Sequence, residues 1–132
     1  MMTKSVLIIE DDQLLHKFYK YVFERAGICP IITEDADDVI HQLKNEKIHL
    51  IIMDINLKNT YLDGQKIDGI RLSRYIKLNA EFSKIPILLV TAYSLSSREN
   101  SILDESMAEG IIVKPIVDYN QFLNTINKLM IN

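Results

Sequence analysis

The chain has little of what several common functional readings require. It contains one cysteine in 132 residues, so no internal disulfide can form, and without a CxxC partner neither a redox pair nor a thiolate metal site is available. A lone free cysteine usually packs as a small apolar side chain, and Cys29 is expected in the core. No apolar run exceeds four or five residues, which leaves no candidate membrane span, and residues 1–4 lead into a strand rather than a signal region. A cytoplasmic protein with no membrane contact is therefore expected. Excess positive charge is also missing: the net charge is −3, which gives no electrostatic footprint for direct nucleic-acid binding. His16, His41 and His49 lack a spacing that would let them share a metal, and are read as surface or strand-edge residues.

What remains is an ordinary globular composition, 48% hydrophobic and 25% charged, which argues against disorder. The length suits one domain, residues 1–132, with no output domain. The most informative stretch is His49-Leu50-Ile51-Ile52-Met53-Asp54. Four consecutive large apolar residues are too few for an ordinary helix and read as a strand buried on both faces, as in parallel sheets. Asp54 stands at its exit.

Similar runs recur. Ser5 to Ile9 ends on Glu10-Asp11-Asp12, Cys29 to Ile32 forms a second strand, Ile87 to Val90 exits on Thr91-Ala92, and Gly110 to Val113 exits on Lys114-Pro115. Between them lie helical patterns. Leu15, Phe18, Val22 and Ala26 share one face of a helix from Gln13 that Gly27 ends, and Tyr19 and Tyr21 are read as helix packing. Asp35 caps a helix with Ala36, Val39, Ile40 and Leu43 inward, and Asp68-Gly69 opens one carrying Ile70, Leu72, Tyr75 and Ile76. Ser94 to Glu105 is a weaker helix, and Asp118 with Gln121 resembles a capping box before a last helix. Ile55 to Ile67 is left as a long polar loop with a turn signal at Asp63-Gly64.

Strands alternating with helices imply an α/β fold: a doubly wound, five-stranded parallel sheet with helices on both faces. Its expected order is 2-1-3-4-5, with ligands bound outside the carboxyl ends at the switch point. In that order Glu10-Asp11, Asp54, Thr91 and Lys114 leave their strands toward one crevice. Three clustered carboxylates repel one another by about 4 kcal/mol per pair at 4 Å and an effective dielectric near 20. They call for a cation or for raised pKa values. An incomplete set of oxygen ligands suits Mg²⁺, which keeps waters and shares a ligand with phosphate. Thr91 and Lys114 are then placed to hold a phosphoryl group while a carboxylate in line serves as nucleophile.

With these residues, Val6-Leu7-Ile8-Ile9-Glu10-Asp11-Asp12, Met53-Asp54-Ile55-Asn56-Leu57, Thr91-Ala92-Tyr93 and Val113-Lys114-Pro115, the chain resembles a response-regulator receiver domain of two-component signalling from end to end. The resemblance implies that Asp54 accepts a phosphoryl group from a sensor histidine kinase or a histidine phosphotransfer protein. It implies Mg²⁺ held by Asp11, Asp54 and the Asn56 backbone carbonyl, with Glu10 acting through water. Thr91, Lys114 and the backbone N–H groups of Asn56 and Ala92 would bind the phosphoryl oxygens, and Lys114-Pro115 would be cis. The expected role is a phosphoacceptor signalling domain rather than an enzyme, with output through contacts with a downstream protein. Other readings are a degenerate receiver that only binds partners and, more distantly, a phosphatase with an aspartyl nucleophile; the latter needs a second Asp where Asn56 stands.

Two departures from the family pattern stand out. Its Asp-Gly comes sooner after the phosphoacceptor than Asp68-Gly69 does, and Lys58 occupies a place where proline is usual. An insertion of about seven residues between Lys58 and Ile67 accounts for both, at modest loop-closure cost. It is expected to screen the site or select partners, or else to be a tolerated surface addition. Ile111 stands where the family usually has Tyr or Phe, so a weaker or different conformational response is expected around it.

Overall fold

Strands buried on both faces need helices above and below, and the short connections here wind the chain so that each crossover supplies one. A computed structural model describes residues 3–92 and 98–130. Its elements in chain order are β1 (Ser5–Ile9), α1 (Gln13–Arg25), β2 (Cys29–Thr33), α2 (Ala36–Asn45) and β3 (Leu50–Asp54), then β4 (Tyr61–Leu62), β5 (Gln65–Lys66) and α3 (Gly69–Leu78), and finally β6 (Ile87–Thr91), α4 (Glu99–Ser106), β7 (Gly110–Val113) and α5 (Tyr119–Leu129). The main sheet has the order β2-β1-β3-β6-β7 and is parallel throughout. This is the expected 2-1-3-4-5 winding, with β4 and β5 set apart as a hairpin.

Strand alternation divides the core into two layers. Leu7, Ile9, Ile51, Met53, Ile87 and Leu89 pack with Val39, Leu43, Leu72, Ile76 and Ile102 of α2, α3 and α4. Val6, Ile8, Leu50, Ile52, Leu88 and Val90 pack with Tyr19, Phe23, Phe122 and Ile126 of α1 and α5. Every residue of β3 and β6 is buried, and each large apolar side chain there contributes roughly 1.5–3 kcal/mol. Aspartates start the helices. Asp12, Asp68 and Asp118 accept from the N–H groups of Leu14, Arg71 and Gln121 at 2.9, 2.8 and 3.0 Å, each cap being worth about 1 kcal/mol. Asp35 sits at the N-cap of α2 without a side-chain bond there.

The sequence expectations need three corrections. The 55–67 segment is not structureless: Tyr61 and Leu62 pair antiparallel with Lys66 and Gln65. Asp63 and Gly64, with φ of 51° and 81°, make the left-handed pair that a two-residue hairpin turn requires. The hairpin is anchored on the β2–α2 connection and the first turn of α2: Thr60 Oγ1 donates to the Glu34 carbonyl at 3.1 Å and the Asp63 N–H to Asp37 Oδ1 at 3.1 Å. Leu62 and Ile67 pack on the core beneath it.

Cys29 is exposed, because it begins the edge strand β2, where only one side of the backbone is paired. Of the Tyr19 and Tyr21 pair, only Tyr19 is buried; Tyr21 is 61% exposed and lies under the Arg25 guanidinium, 5.2 Å from its ring centre. Of the helix expected over Ser94 to Glu105, the described part is α4, Glu99–Ser106, and residues 94–97 lie outside the described ones.

Candidate functional site

The strand register sets the site. Ile9 pairs with Met53, so Glu10 lies level with Asp54; Asp54 pairs with Val90; one step later Thr91 pairs with Val113, and Lys114 follows. The Lys114 N–H donates to the Thr91 carbonyl at 2.7 Å, which ties the last two exits together. Glu10 and Asp54 belong to the alternating set of Ile8 and Ile52, so both side chains lie on the α1 and α5 side of the sheet.

Glu10, Asp11 and Asp54 each offer an oxygen within 4.8 Å of the others. Glu10 and Asp54 are buried, at 1% and 3% exposure, and Asp11 is half-buried. The Lys114 ammonium lies 3.3 Å from Glu10 Oε1 and 3.6 Å from Asp54 Oδ2. One cation therefore serves two buried carboxylates, and the deficit appears on Glu10. Its pKa is pushed up to about 7, first by burial and then by the hydrogen bond with Asp54 and the charge of Asp54, against smaller lowering effects of Lys114 and the Asp12 N–H. That N–H donates to Glu10 Oε2 at 3.2 Å.

Around this core the loops are pinned. The Asn56 N–H donates to Asp54 Oδ1 at 2.9 Å, the backbone donor that the resemblance assigns to a phosphoryl oxygen. The Asn56 side-chain Nδ2 is buried without a partner among the described residues. The Lys58 N–H donates to Asp11 Oδ2 at 3.2 Å, so the segment that leads to the β4–β5 hairpin starts in contact with an acid of the cluster. Thr91 is fully buried and Ala92, directly after it, is exposed. Lys114-Pro115 is cis. Gly69, first residue of α3, lies directly against the backbone of Asp54 and Ile55.

Sequence reasoning missed two groups here. His16, read as peripheral, is half-buried, and its Nε2–H donates to the Glu10 carbonyl. Tyr19, read only as packing, lies close enough to Glu10 and Asp54 for both charges to act on its phenol, which burial above all keeps protonated. Helical spacing marks such residues as inward-facing but does not say which end of the sheet they approach.

Three oxygen-donor acids at this separation fit a hard divalent cation, and the neighbouring ammonium and N–H groups fit an anion beside it. The family model of the response regulator receiver domain matches residues 6–127. The chain is 30% identical over 129 residues to the polar-differentiation response regulator DivK of Brucella ovis, covering 98% of both chains. Its fold is similar to that of the receiver domain of the sensor histidine kinase PA1611 from Pseudomonas aeruginosa, solved with a magnesium ion coordinated in the active site cleft (TM-score 0.80, 16% identity, 98% of each chain). It is also similar to the chemotaxis response regulator CheY4 of Vibrio cholerae (TM-score 0.80, 18% identity, 97% of this chain and 99% of that one).

Proposed function

The chain belongs to the response regulator receiver domain family, and from that membership we propose that Asp54 accepts a phosphoryl group in a Mg²⁺-dependent reaction and that the chain signals by protein contacts. The donor is the phosphohistidine of a sensor histidine kinase or a histidine phosphotransfer protein. The observation that carries this reading is the cluster itself: one buried carboxylate flanked by two acids, with a lysine ammonium 3.6 Å away.

The roles follow from position. An oxygen of Asp54 attacks phosphorus in line, the P–N bond to the donor imidazole breaks, and its electron pair stays with the imidazole nitrogen. Asp11, Asp54 and the Asn56 carbonyl would hold Mg²⁺, with Glu10 acting through water. When bound, the cation supplies charge neutralisation for the attacking carboxylate and the incoming phosphoryl oxygens. Lys114, the Thr91 hydroxyl and the N–H groups of Asn56 and Ala92 take those oxygens. Asn56 occupies the place where an aspartyl phosphatase needs its second acid, and an amide cannot move a proton as that acid does, which favours a lasting adduct over turnover.

Incubation with Mg²⁺ and a small acyl phosphate is expected to give a phosphoryl adduct visible by intact mass. It should be absent without Mg²⁺ and absent in Asp54→Asn. An adduct that survives the substitution would refute the assignment. A second expectation concerns output. Ile111 is half-buried in the layer that contains Ile102 of α4, and isoleucine lacks the ring whose inward rotation would couple that layer to Thr91. Amide exchange across α4, β7 and α5 is therefore expected to change little when a phosphoryl mimic binds. Large new protection over those elements would contradict it.

A further inference from the structure

Three strand ends stand side by side in the order β2, β1, β3, and the chain that leaves β3 runs back across the other two. The Lys58 N–H donates to Asp11 Oδ2 at 3.2 Å, just beyond the end of β1. Thr60 Oγ1 then donates to the Glu34 carbonyl at 3.1 Å, just beyond the end of β2. The two exits so crossed are themselves joined, the Glu10 N–H donating to the Thr33 carbonyl at 3.1 Å. Burial fixes the crossing on both sides of one exposed pair. Lys58 and Asn59 are exposed, while Leu57 before them packs into the core and Thr60 after them is 1% exposed. A buried hydroxyl bonded to a neighbouring loop has one place to be, and it sets the path of the two residues before it. The Lys58 N–H placed in this way gives the one hydrogen bond that the Asp11 side chain accepts among the described residues.

We propose that Thr60 is a positioning residue for the metal site: its bond to Glu34 keeps the Lys58 N–H on Asp11, and that N–H fixes the Asp11 carboxylate before a cation arrives. The inference rests on the function proposed above, in which Asp11 would be a Mg²⁺ ligand. The other two acids are held by different means. Glu10 and Asp54 are buried, and the Lys114 ammonium faces them at 3.3 and 3.6 Å. Asp11 is half-buried and has no ammonium beside it among the described residues, so its orientation depends on the Lys58 N–H. A carboxylate that is free to turn loses that freedom when it takes a metal, and a donor already bound to it removes the loss in advance. Groups that orient a ligand in this way change metal affinity by about 10–100-fold. The bond uses the backbone of Lys58, so a proline at that position would have nothing to donate.

The test measures Mg²⁺ affinity by calorimetry on the whole chain for wild type, Thr60→Val, Thr60→Ser and Lys58→Pro. Thr60→Val keeps the shape and removes the donor, and is expected to bind Mg²⁺ roughly tenfold more weakly. Thr60→Ser restores the hydroxyl and should bind as wild type does. Lys58→Pro reaches the same bond from its other end, should bind as weakly as Thr60→Val, and carries the test if that variant does not fold. Without metal, the Lys58 amide should exchange with solvent more slowly in wild type and Thr60→Ser than in Thr60→Val, a local change that a general loss of stability does not produce at one exposed residue. Undiminished Mg²⁺ binding by Thr60→Val or by Lys58→Pro would overturn the inference, as would a loss that Thr60→Ser shares in full. Each of these results overturns it alone, provided wild type binds Mg²⁺ and takes a phosphoryl group from a small acyl phosphate. A wild type that does neither would instead remove the function reading and this inference with it.

Discussion

Gly69→Ala is expected to destabilise the protein by at least about 3 kcal/mol, at the upper end of what overpacking costs when the surroundings cannot yield. A Cβ at position 69 would stand 2.1 Å from the Asp54 carbonyl oxygen, 2.7 Å from the Ile55 Cα and 2.9 Å from the Asp54 carbonyl carbon. All three are backbone atoms, so no rotamer change relieves the contact. Either α3 lifts away from the sheet, exposing Leu72 and Ile76, or the end of β3 moves and takes Asp54 out of register with Glu10. Gly27→Ala gives the contrast. That position has a φ of 74° and nothing within 4 Å of an added Cβ, so only backbone strain of about 1–2 kcal/mol is incurred. Urea unfolding of the two variants separates the mechanisms. A Gly69→Ala protein as stable as Gly27→Ala would mean that α3 does not press on the phosphoacceptor as described.

The second large effect is on pH. Glu10 has a folded-state pKa of about 7 against an ordinary value of 4.5, so the folded protein holds this proton more tightly than the unfolded chain does. The resulting stabilisation is fully present below about pH 4.5 and is lost as pH rises through 7, amounting to about 3 kcal/mol across the window. The metal-free protein is therefore expected to lose stability between pH 5 and 7.5 relative to Glu10→Gln, which carries no proton to lose. Mg²⁺ should reverse the trend, since the cation favours the charged carboxylates. Its affinity should climb with pH up to about 7 and then level off, and calorimetry in buffers of different ionisation enthalpy should register proton release below that point. A wild type that tracks Glu10→Gln at every pH would show that Glu10 is charged throughout.

The strand exits could be read from the sequence because burial on both faces compresses each strand into an unbroken apolar run. The first polar residue after Ile9, Met53, Val90 and Val113 therefore marks the end of the run. Alternation of runs with helical periods gave the winding order, and the winding order gave one crevice. The β4–β5 hairpin was not readable in this way. Its strands have two residues each, below any period, and its place is fixed by Thr60 and Asp63 reaching the 34–37 segment, a pairing that no local pattern announces. Cys29 was misplaced for a related reason: composition says that free cysteines are usually buried, but only the sheet order shows that β2 is an edge. Gly69 looked like a helix start after an aspartate cap; that it also touches the phosphoacceptor backbone is visible only in three dimensions.

The bond from Lys114 to Glu10 spans 104 residues, and that from Lys58 to Asp11 spans 47. Loop closure over such separations comes late in folding, because its entropic cost is met only after the intervening strands have docked. The acidic cluster thus has no precursor in any short piece of the chain: half a sheet supplies carboxylates without the lysine, and β7 with the residue after it supplies the lysine without an acid. Competence to be phosphorylated should therefore appear in a refolding experiment only with the slowest cooperative phase, after helical signal has returned. The chemistry itself becomes a reporter of the last step of assembly.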